Sequence, residues 1–165
     1  MAHPMLLALA LLGAGAPSEA PIDASDPGKF EQQLRDMGYA PSKFEITGET
    51  ATTTIQLGHG DKLSIALGGC TKGAGCLYIT LVGAFSDVEK PPADWVARMN
   101  VDYDLLKVWV NDTGQLAYSS GSVMTGASRS TLRNWIDLVR ESSLYLARQA
   151  MTDKLTTNTK PPLKR

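Results

Sequence analysis

KLSIALGGCTKGAGCLYITLVGAF, residues 62–85, is the stretch that decides the fold, because it holds two apolar runs joined by a glycine-rich turn. The first run places Leu63, Ile65 and Leu67 on one face at a period of two, as a half-buried strand requires. The second run alternates in the same way, with Leu77, Ile79, Leu81 and Phe85 on one face. Together they predict an antiparallel hairpin at the centre of a sheet.

One cysteine lies at each end of the glycine-rich turn. By this alternation Cys70 and Cys76 both fall on the less apolar face, and residues 71–75 have the length and composition of a hairpin loop. Directly paired residues of antiparallel strands lie about 4.5–5.5 Å apart at Cα, which a disulfide accepts. We therefore predict a Cys70–Cys76 disulfide that forms once the chain has left the cytoplasm, with two reduced, half-buried thiols as the alternative.

The N-terminus contains an apolar block, MLLALALLGAGA, at residues 5–16. Twelve residues are too few to span a bilayer, and such a block is typical of a signal-peptide core. No Lys or Arg precedes it, so an N-terminal helix packed into the fold is the alternative. We predict a signal peptide over residues 1–20, no stable membrane span after its cleavage, and a periplasmic or secreted protein.

Composition indicates one globular domain, since 165 residues with 43% hydrophobic and 20% charged side chains are enough for one core. We place this domain at residues 21–155 and expect a disordered basic tail at residues 156–165, where Pro161 and Pro162 lie. Cleavage after residue 20 would remove one acid, Glu19, and leave 16 basic and 16 acidic residues. Nucleic-acid binding is not predicted, because the sequence has no basic cluster interleaved with aromatics.

The remaining elements follow from caps and periodicity. Ser25-Asp26-Pro27 begins a helix that Gly38 ends. Residues 44–57 form a threonine-rich strand before the hairpin, a second helix ends near Asn100, and two strands occupy residues 105–110 and 115–119. A glycine- and serine-rich link at 120–127 then leads to a long helix at 128–155. The order is α-βββ-α-ββ-α, an α+β fold with helices packed on an antiparallel sheet of about five strands.

The last helix has more apolar surface than one core-facing stripe needs. Four further apolar residues widen this surface, and they could pack in the core or contact a partner or a second copy of the chain: Leu138, Leu144, Tyr145 and Met151. The stripe itself consists of Leu132, Ile136, Val139, Ser143, Leu146 and Ala150.

The residues that could carry chemistry are few. His59 is the only histidine left once the predicted signal peptide is removed, and it lies between two glycines in a turn with no serine motif near it. Two cysteines with this one distant histidine cannot form a structural zinc site. Asp102 and Asp104 lack further oxygen ligands at a defined spacing, so we assign them to a solvated loop. The glycines of the central hairpin lack the ending of a phosphate-binding loop. We predict no catalytic, cofactor-binding or metal-ligating residue.

Several features of this chain match a known family: Met37-Gly38-Tyr39, Gly69-Cys70, Gly75-Cys76-Leu77, the tryptophan-containing helix ending at Asn100, the strand Leu106-Lys107-Val108-Trp109-Val110 with its turn, and the long last helix. With these residues in this order, the chain resembles the YbjN family of bacterial sensory transduction regulators over about residues 27–146. The resemblance implies a fold similar to type III secretion chaperones, which commonly dimerise and hold extended segments of partner proteins. It also implies no enzyme activity and no cofactor.

Three functions remain open at this stage. The first is a non-enzymatic, exported interaction module that binds a protein or peptide through its sheet or its long helix, with a homodimer as one form. The second is a thiol-active envelope protein that uses Cys70 and Cys76. The third is a small-ligand carrier whose pocket between helix and sheet would be lined by Trp95, Trp109 and Trp135.

Overall fold

The computed structural model describes residues 21–58, 61–123 and 126–156. The predicted signal peptide, His59 and the predicted tail from residue 157 lie outside the described residues. The helices are α1 (Pro27–Asp36), α2 (Ala93–Asp102) and α3 (Arg129–Thr152). The strands are β1 (Glu45–Thr47), β2 (Thr50–Gln56), β3 (Lys62–Gly68), β4 (Tyr78–Glu89), β5 (Lys107–Val110) and β6 (Gln115–Ser122). The predicted α+β class is confirmed.

All six strands form one antiparallel sheet in the order β1-β2-β3-β4-β6-β5. The prediction of about five strands was short by one, because residues 44–57 do not form a single strand. Thr47 pairs with Thr50, so Gly48 and Glu49 make a two-residue hairpin loop. Gly48 has φ 58°, a backbone conformation that glycine adopts without the steric cost of a side chain.

The central hairpin forms as predicted, and one face of it builds the core. Leu63, Ile65 and Leu67 of β3 are fully buried, and Ile65 pairs with Leu81 of β4. Ile79 and Leu81 are equally buried, whereas Leu77 precedes β4 and is exposed, contrary to the predicted alternation.

Both predicted boundaries of α1 are confirmed. The carboxylate of Asp26 accepts hydrogen bonds from the backbone N–H groups of Gly28 and Lys29, and Pro27 occupies the first turn. Beyond the last turn Gly38 has φ 88°, so the chain leaves the helix there.

Helix α3 covers the core face of the sheet with the predicted stripe. Ser128 caps its start, and it ends at Thr152, three residues before the predicted end. On the sheet side, Trp135 Nε1 donates to Ser120 Oγ over 3.1 Å. The buried residues of α3 are Leu132, Ile136, Val139, Ser143, Leu146 and Ala150, so all six predicted positions are confirmed.

Asp153 ties helix α2 to the end of α3. Its carboxylate accepts hydrogen bonds from Gln149 Nε2 at 2.9 Å, Trp95 Nε1 at 2.7 Å and Arg98 at 3.0 Å. These donors, with Gln149 and then Trp95 contributing most, lower the pKa of the Asp153 carboxyl below its usual range. One residue of the predicted tail, Thr156, forms an antiparallel bridge with Val88 and is therefore part of the fold.

Candidate functional site

The structure joins Cys70 to Cys76 with an S–S distance of 2.07 Å, as predicted. Their predicted position on the less apolar face is wrong, because both belong to the hydrophobic core, at 2% and 3% exposure. Strand β3 ends at Gly68, and Gly69 has φ 68°, so the alternation stops before Cys70 and the chain turns inward. Period-two patterning holds only while the backbone stays extended.

The disulfide loop is fixed to two other segments of the chain. The N–H of Cys70 donates to the carbonyl of Glu49 at 2.9 Å, and the N–H of Cys76 donates to the carbonyl of Ser25 at 3.2 Å. Between the cysteines, Lys72 and Gly73 both have positive φ, at 52° and 80°, which is the type I′ hairpin turn. The disulfide therefore anchors the β1–β2 turn and the segment before α1.

Burial of the disulfide bears on the thiol-active hypothesis. Exchange requires an attacking thiolate to reach one of the two sulfurs. Cys70 and Cys76 lie among core side chains, so this attack would require the loop to open. A structural link between segments agrees better with this environment, and the disulfide is compatible with an oxidising compartment.

The three tryptophans of the carrier hypothesis do not line one pocket. Trp95 is buried between α2 and the end of α3, where it binds Asp153. Trp109 lies in β5 opposite Ala117, on the other face of the sheet. Of the three, Trp135 alone lines the cleft described below.

Asp102 and Asp104 are both exposed, as predicted. Only Asp104 lies in a loop, because α2 continues two residues past the predicted end near Asn100 and includes Asp102. Within residues 21–58, 61–123 and 126–156, no group of three or more His, Cys, Asp or Glu side chains is arranged to hold a metal ion.

One face of the sheet carries no helix among the described elements. The register places on it the residues that alternate with the core positions, such as Thr52, Ser64, Thr80 and Val82, and these are partly exposed. This face is followed along β4 up to Ala84, before the irregular pairing near its end. Over that area its charged residues lie at the margin: Glu45 in β1, Lys62 at the start of β3 and Lys107 at the start of β5.

Two aromatic side chains shape this uncovered face. Tyr78, 47% exposed, lies across Gly68, where a Cβ would come within 2.2 Å of the ring. Trp109 pairs with Ala117, which is buried although it lies on the same face. The uncharged centre and the Tyr and Trp on this face agree with protein–protein interfaces, which are depleted of charge at the centre and enriched in aromatic residues. Sequence reasoning missed this surface because the strand order that brings these positions together depends on long-range pairing.

A cleft of about 850 Å³ opens at the end of this sheet, beside β6. Loop residues 103–106 form one wall, Trp135 of α3 forms another, and residues 119–122 of β6 form the floor. Burial raises the pKa of the Tyr103 phenol in this wall, and the nearby charge of Asp102 raises it further.

The outer face of α3 is the other candidate docking surface. Leu138 and Tyr145, two turns apart, are 54% and 59% exposed, as expected for a helix with surplus apolar surface. The guanidinium carbon of Arg148 lies 5.3 Å from the centre of the Tyr145 ring, in cation–π contact.

No protein-family model, curated protein or solved structure matches this chain. Within the described residues, none of the helices has the length and apolar character needed to cross a membrane.

Proposed function

We propose that this protein is an exported, non-enzymatic interaction module of the YbjN type, a sensory transduction regulator that binds a protein or peptide partner. The observation that carries the proposal is the uncovered sheet face with Tyr78 and Trp109 and an uncharged centre. A sheet face that contacts only solvent usually carries charged residues across its whole area, whereas a docking surface is depleted of charge at its centre.

Export is supported by two independent features. The apolar block at residues 5–16 is typical of a signal peptide, and the Cys70–Cys76 disulfide is typical of proteins that fold in an oxidising compartment. The intact mass of the protein from its native host, before and after reduction and alkylation, tests both.

Two glutamate substitutions distinguish the two candidate surfaces. Val82→Glu puts a charge at the centre of the sheet face, and Leu138→Glu puts the same charge on the outer face of α3. We expect capture of the partner from envelope extract by the mature protein to be lost in Val82→Glu and kept in Leu138→Glu. The opposite pattern would assign docking to the helix, and a co-purified small molecule without any specific protein would count against the module itself.

A further inference from the structure

The cleft contains a strand edge that β5 does not reach. Strand β5 pairs with β6 from Leu116 to Ser119 and stops, because Lys107, opposite Ser119, is its first residue. Strand β6 continues to Ser122, held on its other side by β4. Among the described residues, no strand pairs with residues 120–122 on the side away from β4.

The register identifies the backbone groups at this edge. The side chain of Asn100 bonds both the N–H and the carbonyl of Val108, so these groups point away from β6. Alternation then directs the backbone groups of Lys107 and Trp109 towards β6, opposite Ser119 and Ala117. Two residues beyond Ser119, Gly121 presents its N–H and C=O in the same direction, towards the cleft.

The residues that line the cleft indicate which kind of segment could pair with β6 there. Its charged residues are Asp104 and Lys107, of opposite sign, and the rest of the lining is uncharged. Ser120 lies on the helix side of the sheet, where its hydroxyl accepts from Trp135. An extended backbone with uncharged side chains complements both the free backbone groups and this charge balance.

We propose that the cleft binds an extended, uncharged segment of a partner protein, which adds to β6 at residues 120–122 as a strand in line with β5. The inference rests on the proposed function and locates its peptide-binding part. Gly121 supplies the backbone hydrogen bonds. The partner residues on either side of the one opposite Gly121 point towards Trp135, so apolar residues are favoured at those two positions.

The test uses full-length mature protein and a panel of capped seven-residue peptides in which threonine alternates with valine, leucine or tyrosine. Each peptide has a matched control of the same sequence, N-methylated at every residue so that neither of its edges can donate a hydrogen bond to the strand. Binding is measured by NMR titration. We expect the best peptide to shift the amide signals of residues 119–122 and its N-methylated control to bind about tenfold more weakly, as for the loss of one or two backbone hydrogen bonds.

Two variants of the protein test the same bond from the other side. Gly121→Pro removes the N–H at the edge, where proline is tolerated. Gly121→Ala keeps it, and its Cβ would lie 3.6 Å from Thr80 Oγ1, an ordinary contact. We expect Gly121→Pro to weaken binding at least tenfold and Gly121→Ala to bind within twofold of the parent. If Gly121→Pro does not fold, the comparison of unmodified and N-methylated peptides on the parent protein tests the proposal.

Three results would overturn the proposal. They are equal binding by Gly121→Pro and the parent, equal binding of N-methylated and unmodified peptides, and no binding of any peptide at millimolar concentration. In each case the partner captured from envelope extract, and its loss in Val82→Glu, would still stand. Failure of the strand edge is therefore distinguishable from failure of the interaction module.

Discussion

Breaking the Cys70–Cys76 bond should cost about 2 kcal/mol of the free energy of unfolding. The two cysteines are separated by six positions, so the bond closes a short loop. The chain-entropy relation for a loop of about seven residues gives about 2.3 kcal/mol at 25 °C. For a domain of this size that corresponds to a decrease in Tm of about 5–10 °C.

Breaking the disulfide should increase hydrogen exchange in the disulfide loop more than in the rest of the fold. In the folded protein, the amides of Cys70 and Cys76 bond to the carbonyls of Glu49 and Ser25, so release of the loop exposes both. We expect hydrogen exchange at these two amides to quicken about 100-fold or more, while amides in the middle of β3 change only by the global loss of stability.

The assay compares one sequence in two states, oxidised and reduced-then-alkylated in denaturant, by urea unfolding and hydrogen exchange. A Cys70→Ala/Cys76→Ala variant provides the control without bulky adducts. A free-energy difference below about 0.5 kcal/mol, or unchanged exchange at both amides, would refute the reasoning that the disulfide anchors the β1–β2 turn and the segment before α1.

Three further predictions concern contacts that hold the helices and strands together. Asn100→Ala should lower the free energy of unfolding by about 1–3 kcal/mol in urea melts, because both hydrogen bonds to Val108 are lost. Gly83→Ala should cost about 1–3 kcal/mol by the same measurement, because a Cβ would come within 2.3 Å of the buried Tyr118 ring. Asp153 has a lowered folded-state pKa, so its contribution is present above the ordinary value of 3.8 and is lost as pH falls through the folded-state value; thermal melts from pH 6 to pH 2 will show this.

Each has a matched control. Val101→Ala, at an exposed position of α2, should change stability by less than about 0.5 kcal/mol. Gly68→Ala should cost less than Gly83→Ala, since the half-exposed Tyr78 ring can move aside. In Asp153→Asn the acid-dependent loss should shrink; an unchanged pH profile would contradict the role given to this carboxylate.

The sequence predicted most of the elements, because their signals are local. The cap at Asp26 and the stripe on α3 depend on residues three or four positions away, so they can be recognised from local spacing. The core face of the central hairpin follows in the same way from period two. These features needed no knowledge of long-range contacts.

The wrong predictions concern residues whose conformation depends on tertiary partners or on a single backbone angle. The glycine and serine at residues 120–122 predict a link, because these residues favour turns, yet pairing with β4 extends β6 through them. The turn at Gly48 and the inward turn after Gly69 each depend on one positive φ. The candidate surfaces depend on strand order, which places Tyr78 and Trp109 on one face and separates the three tryptophans.

The backbone groups at the β5 edge and at the proposed peptide site differ in whether a side chain occupies them. Unpaired edges invite unwanted pairing, and proteins usually block them. Here the outer edge of β5 is blocked at Val108 by the Asn100 side chain, which satisfies both backbone groups. The edge at Gly121 lies a few residues away, at the floor of a walled cleft, with no comparable block among the described residues. An edge that is short and enclosed resists pairing between copies but still admits a single extended segment, so blocking one edge and leaving the other open is consistent with selective binding there.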